Sequence, residues 1–442
     1  MTRTMKNSGV EWIGQIPASW KSGRIKDILN VLTDYTANGS FADLAKNVEY
    51  LDYESYARLV RLTDLRSFLQ NYDAVYVDKN SYDYLSKSKL FGGEILVANV
   101  GAYAGLFCEM PKLNINATLG PNMFLITTNQ KMLQHFLFYL GNSDIIYKQL
   151  SAKMASAAQP KLNKQDIKTT YLLIPPLSEQ QAIADYLDDK CAQIDNITAT
   201  INEQIEVLKQ YKKSVITEAV TKGLDPNVPM KDSGVEWIGQ IPETWEVGRI
   251  KHYFKMVNGA TPTSTISEFW DGEIIWITPA DMNDDGIIKT GKRNITNEGF
   301  QSCGTNLVPT GSIIISTRAP IGKINIAQNP LCTNQGCKSL VSRKNNKYYY
   351  YYLISKKHIL EFLGRGTTFL ELSGFDLNNF NIPVPSSSEQ QAIANYLDNK
   401  CTKIDAVIAD KQAQLETLAA YKKSFIYEYV TGKKSVPGFE EA

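Results

Sequence analysis

Two copies of one frame, far apart and in the same order, constrain this chain more than any single motif does. SGVEWIGQIP at Ser8–Pro17 returns unchanged at Ser233–Pro242, and GRIK at Gly23–Lys26 returns at Gly248–Lys251. SEQQAIA at Ser178–Ala184 returns at Ser388–Ala394, each copy followed by YLD, KC, ID and YKKS. The stretches between the copies resemble each other only faintly. Repetition at this scale reports architecture before chemistry. It predicts one scaffold built twice and presenting two different inserts.

The repeated SEQQAIA segments open helices. Ser178 as N-cap with Gln181 three residues on fits a capping box, and Ser388 with Gln391 repeats it. Pro175 and Pro176, like Pro383 and Pro385, oppose an earlier start. Apolar residues then recur every seven positions, at Leu187, Ile194, Ile201, Leu208 and Val215 in the first copy. The second copy gives Leu397, Ile404, Leu418 and Phe425, with Lys411 interrupting the row opposite Ile201. This is coiled-coil spacing, and about forty residues make a helix roughly 60 Å long. So narrow a stripe needs a partner, and the economical one is the other helix. Packing of each helix on its own neighbouring domain is the alternative.

The second helix ends where the chain ends, and the frame that follows the first helix is found instead at the N-terminus. The order is that of a two-unit ring cut open in one linker, with internal pseudo-twofold symmetry. The predicted segments are a frame repeat at 1–26, a globular domain at 27–177, a helix at 178–222 and a linker with the second frame repeat at 223–251. A second domain at 252–387, a helix at 388–431 and a tail at 432–442 complete the chain. Each insert holds an apolar strand between glycines (GEILVANVGAYAG from Gly93, GSIIISTRAPIG from Gly311) and a second strand after a glycine (GPNMFLI, GCKSLV). A helical aromatic segment follows, with His135–Tyr139 aligned to Tyr348–Tyr352, and that tyrosine run suits core packing better than base stacking. The expected fold class is α+β (mixed α/β): two globular domains joined by two long antiparallel helices.

Catalytic signatures are missing. No glycine stands five positions before Gly322–Lys323 to make a phosphate loop, and no GxGxxG follows a strand. The three histidines, His135, His252 and His358, have no nucleophile or metal spacing, and the six cysteines form no zinc pattern. The expectation is a non-enzyme without metal. A formal net charge of +1 gives no global sign of a nucleic-acid partner, so any such face is a local basic patch. No apolar run reaches bilayer length, and the N-terminus lacks the apolar stretch of a secretory signal, which predicts a cytoplasmic protein with no membrane partner.

The paired SEQQAIA–YLD–KC–ID helices, each preceded by IPP or IPVP, together with the repeated SGVEWIGQIP and its downstream tryptophan, resemble the specificity (S) subunits of type I restriction–modification systems over the whole chain. One departure is Gln159–Pro160, a frequent lead-in in that family, replaced by Phe369–Leu370 in the second insert. The resemblance implies that each insert is a target recognition domain reading one half of a split, asymmetric sequence in double-stranded DNA. It implies that the helices set the unread spacer and that the frame docks two methyltransferase (M) subunits, with restriction/translocase (R) subunits joining for cleavage. S-adenosylmethionine then belongs to the methyltransferase, and no cofactor to this chain. Two readers related by a twofold sit about one DNA turn, roughly 34–36 Å, apart. Side chains suited to bases or phosphates are Arg58, Arg61, Arg66, Lys87, Lys89 and Lys161 in the first domain, and Lys292, Arg293, Arg318, Lys338 and Arg365 in the second. Two other readings stay open: the specificity subunit of a type IIB-like bipartite system, and a coiled-coil adaptor that binds proteins and not DNA.

Overall fold

The computed structural model describes residues 3–10, 13–155, 159–342, 346–365 and 370–439. Phe369, the first residue of the altered lead-in, and residues 440–442 of the tail lie outside the described residues. The chain divides into two compact units, one of residues 1–200 with 414–442 and the other of residues 201–413. Each unit therefore contains one insert, one frame repeat and a portion of both long helices.

In the first unit the frame begins with a hairpin, Met5–Asn7 against Gln15–Pro17. Lys21–Arg24 then pairs antiparallel with Tyr171–Ile174, closing the insert at its base. The insert holds two four-stranded sheets. In one, Met123–Thr128 lies between Leu29–Asp34 and Ile95–Ala98, with Phe107–Glu109 on the outer edge. In the other, Ala57–Val60 runs parallel to Asn116–Leu119, with Val75–Val77 and Lys89–Leu90 outside them. Strand Ile95–Ala98 is buried along its whole length, as an uninterrupted apolar run between glycines predicts.

The second unit repeats this plan. The hairpin is Met230–Asp232 with Gln240–Pro242, and the closing pair is Glu246–Arg249 with Asn381–Val384. Ile313–Ser316 pairs antiparallel with Cys337–Val341, so the two apolar strands read from each insert are direct neighbours in both domains. The tyrosine run is core, as its pattern suggests. Tyr348 to Tyr352 are all buried, and the phenols have polar partners: Tyr348 donates to the Val220 carbonyl at 2.9 Å and Tyr352 to that of Asn381 at 3.0 Å. A buried phenol needs such a partner.

The long helices span Leu177–Lys222 and Ser387–Val430. Within the first unit they run antiparallel: Tyr186 packs on Tyr429 with ring centroids 5.0 Å apart, and Lys422 reaches Asp195 at 2.6 Å. The second unit has the equivalent Lys212–Asp405 pair at 2.8 Å, and Lys411 donates to Gln204 at 2.6 Å. Lys411 thus interrupts the apolar row by reaching across to a polar residue of the facing helix. Leu187, Ile194, Ile201, Val215, Leu397, Ile404 and Phe425 are buried, whereas Leu208 and Leu418 are half-exposed. Leu187 and Leu397 also join the cores of their adjoining domains. The two packing arrangements weighed from the sequence therefore coexist.

The helix starts differ from the capping boxes expected at Ser178 and Ser388. The second helix is capped two residues earlier, where the Ser386 hydroxyl accepts from the Glu389 amide at 3.3 Å and the Ser386 amide donates back to the Glu389 carboxylate at 3.1 Å. The first helix has Pro176 at that place, so no hydroxyl can serve. Gln181 and Gln391 point along their own helices to Asp185 and Asn395.

Candidate nucleic-acid interface

The shared frame explains why SEQQ recurs. Trp20 is wholly buried and its indole donates to Glu179 at 2.7 Å, while Arg3 also reaches that carboxylate. Trp245, equally buried, donates to Glu389 at 3.1 Å. Gln180 and Gln390 each donate to the carbonyl five residues upstream, at Pro175 and Pro385, both at 2.9 Å. Both long helices end at a glycine with positive φ, +79° at Gly223 and +69° at Gly432. Gly223 packs on Trp245, and Gly432 lies so close to Pro17 and Trp20 that a side chain there would clash. The N-terminal frame therefore meets the end of the second helix within the first unit, as the internal frame meets the end of the first helix within the second.

Each domain is also tied to its helix through the aspartate of the repeated YLD. Asp188 accepts from Tyr139 at 2.6 Å and from His135 Nε2 at 2.8 Å, while His135 Nδ1 donates to Glu109 at 2.5 Å. In the second unit Asp398 accepts from Tyr351 at 2.8 Å and from Lys347 at 2.5 Å. His135 thus corresponds to Lys347 and Tyr139 to Tyr351, a correction of one residue to the alignment read from the aromatic run. The hydrogen bond to Glu109, aided by that to Asp188, raises the His135 pKa to about 9 and outweighs partial burial. The imidazolium then does in the first unit what an ammonium does in the second.

Against this common frame, the cationic side chains separate into distinct settings. Arg58 is buried and braces a loop, donating to the Leu69 carbonyl at 3.0 Å and to Asn71 at 2.9 Å. Arg61 grips the buried Asp64 at 2.9 Å and reaches Asp73 at 3.2 Å. Lys87 donates to the Ala37 carbonyl at 3.0 Å, and Lys89 lies over Tyr82, 3.5 Å from Asp83. In the second domain Arg318 pairs with Glu371 at 3.1 Å, and Arg365 joins the same residue by backbone bridging. Lys338 is half-buried on its strand, while Lys161 and Lys292 are exposed.

Two arginines remain exposed on an aromatic support. The Arg66 guanidinium sits 3.8 Å from the ring centre of Tyr103, and that of Arg293 sits 3.9 Å from that of Trp270. An aromatic face attracts and supports a guanidinium, and an arginine is the side chain suited to the paired acceptors of guanine. Asp271 stands 3.9 Å from Arg293, too far for a hydrogen bond. The aromatic supports were not found in the sequence; Tyr103 lies in the GAYAG turn and Trp270 begins the strand Trp270–Ile277.

Residues 17–207 and 242–417 match the family model of the type I restriction modification DNA specificity domain. The chain belongs to this family of type I specificity subunits. It is 30% identical over 436 residues to the putative type I restriction enzyme MjaX specificity subunit of Methanocaldococcus jannaschii, with 95% of each chain covered. The MjaIX specificity subunit of the same organism is 41% identical over 187 residues, covering 41% of this chain and 42% of that one. A chain solved in work on complex assembly and conformational transition of the type I R-M system shares the fold, with a TM-score of 0.73 at 20% identity, covering 95% of this chain and 99% of that one. As a specificity subunit, the protein is a DNA-recognition component and not a catalytic one. Among the described residues no helix is long and apolar enough to cross a membrane.

Proposed function

We propose that each insert of this specificity subunit reads one half of a two-part, asymmetric target in double-stranded DNA. Arg66 and Arg293 each supply a base-reading guanidinium in one half. The two long helices fix the unread spacer. The repeated frame docks two methyltransferase subunits, which bring S-adenosylmethionine, and restriction/translocase subunits complete the cytoplasmic complex.

The observation that carries this reading is the contrast between what repeats and what does not. Trp20–Glu179 and Trp245–Glu389 reproduce one contact in both units, while the supported arginine rests on a tyrosine in one domain and a tryptophan in the other. A constant frame with divergent exposed surfaces suits a constant partner and a variable target. Exchanging residues 27–177 for the corresponding insert of another specificity subunit tests it. One half of the methylated motif should change while the other half persists; change in both halves, or in neither, would contradict independent reading.

A further inference from the structure

The two domains diverge most instructively just after a feature they share. In each, a strand in a parallel pair ends in a turn capped by an aspartate: Asp64 accepts from the Arg61 amide at 2.6 Å, and Asp281 from the Thr278 amide at 2.8 Å. The second domain continues with Asn283, Asp284, Asp285 and Gly286, where the glycine supplies the positive φ of +116°. The first continues with Ser67, Phe68 and Leu69, and here two consecutive side-chain-bearing residues have φ of +52° and +62°. Left-handed backbone at a phenylalanine and a leucine is unfavourable and persists only when its surroundings impose it.

The surroundings do so with named contacts. Arg58 binds the Leu69 carbonyl and Asn71; Asn71 donates to Asp64 at 2.6 Å; Ser67 bonds to Asn71 at 3.2 Å. Leu69 turns inward onto the core around Val60 and Leu119. Phe68 is left 85% exposed, and Tyr72 fully exposed. A buried polar network thus holds two aromatic rings out in water, where hydrophobicity alone would not leave them. Three arginines, Arg58, Arg61 and Arg66, adjoin two aspartates: Asp64 is buried among Arg58, Arg61 and Asn71, and the exposed Asp73 is paired with Arg61 at 3.2 Å, which leaves the exposed Arg66 as the excess charge.

We infer that Phe68, flanked by Tyr72, is a rigid apolar finger that contacts the DNA of the first half-site, with Phe68 wedged against a base step. Apolar wedges of this kind unstack a step, and the deformability of that step then contributes to sequence preference. The inference rests on the DNA-reading function proposed above. It assigns the finger to one half-site only, because the second domain has acidic residues in the equivalent place, with Asp284 held by Lys357 at 3.2 Å.

The test uses the full chain assembled with its methyltransferase subunit, and duplexes carrying the methylated motif with 2-aminopurine at successive positions of each half. Wild-type complex should raise the fluorescence at one step of the first half. Phe68→Ala should abolish that rise and weaken cognate binding by about tenfold, within the range for loss of one aromatic–base contact, with the second half unaffected. Tyr72→Ala should have a smaller effect of the same kind. Unchanged fluorescence and affinity in Phe68→Ala would overturn the finger while leaving sequence-specific binding intact. Weaker methyltransferase assembly with unchanged DNA contact would replace the proposed role by a protein contact. A wild-type complex without sequence-specific binding would remove the DNA-reading function, and the finger with it.

Discussion

The indole Nε1 of Trp20 donates to Oε2 of Glu179 across 2.7 Å, joining residues 159 positions apart, and Glu179 is only 2% exposed. Trp20→Phe leaves a smaller aromatic ring in place and removes the donor from a buried carboxylate. The expected loss is about 1–3 kcal/mol of stability in urea denaturation followed by circular dichroism. Trp245→Phe should cost less, because Glu389 is half-exposed whereas Glu179 is buried. Equal losses would show that packing of the ring dominates.

The helix pairing should depend on its apolar seam far more than on its ion pairs. Leu187 is wholly buried, and Leu187→Ala should destabilise by about 2–5 kcal/mol. Lys212 and Lys422 pair with Asp405 and Asp195, aspartates that are 53% and 62% exposed. Alanine at either lysine should cost less than about 1 kcal/mol, and added salt should reduce the difference further. The same denaturation series measures all three.

His135 makes the first unit sensitive to pH. Its folded pKa is raised from 6.5 to about 9 by Glu109 and Asp188. The folded state therefore holds the proton more tightly than the unfolded state does. Its contribution is complete below about pH 6.5 and fades as pH rises through about 9. His135→Gln should flatten the change in thermal stability across that window. In the second unit Lys347 occupies the corresponding place against Asp398. An NMR titration placing the His135 pKa near 6.5 would contradict this assignment.

What the sequence shows and what it hides have separate physical causes. Exact repetition exposed the frame and the two helices, because the same local chemistry was written twice. Heptad spacing exposed the seam, though Leu208 and Leu418 are only partly covered. Capping was misplaced by two residues because Ser178 and Ser388 both fit a capping box, and only three-dimensional structure shows Ser386 meeting Glu389. The arginine cluster at Arg58, Arg61 and Arg66 reads as one basic stretch. Its members separate once folded, since the strand that carries Arg58 is buried along its whole length and Asp64 captures Arg61. The left-handed turn at Phe68 and Leu69 has no sequence signal, as neither residue favours that backbone.

That separation predicts distinct mutant behaviour. Arg66→Ala should cost about 1–3 kcal/mol in cognate DNA binding and relax one position of one half-site, and Arg293→Ala should do the same in the other half. Arg58→Ala should instead lower the melting temperature, because it removes the donor to the Leu69 carbonyl and one of the two donors to Asn71. Competition binding with single-base substitutions distinguishes the two patterns. A uniform loss across all sequences for Arg66→Ala would mark it as a phosphate contact.

The most direct measurement is single-molecule methylation sequencing of a host without its own systems, carrying this chain with its methyltransferase gene. The account predicts a new two-part asymmetric motif with an unspecified spacer, methylated on adenine in each half and lost when this chain is omitted. A contiguous motif, or no methylation dependent on this chain although the complex is assembled and soluble, would contradict it.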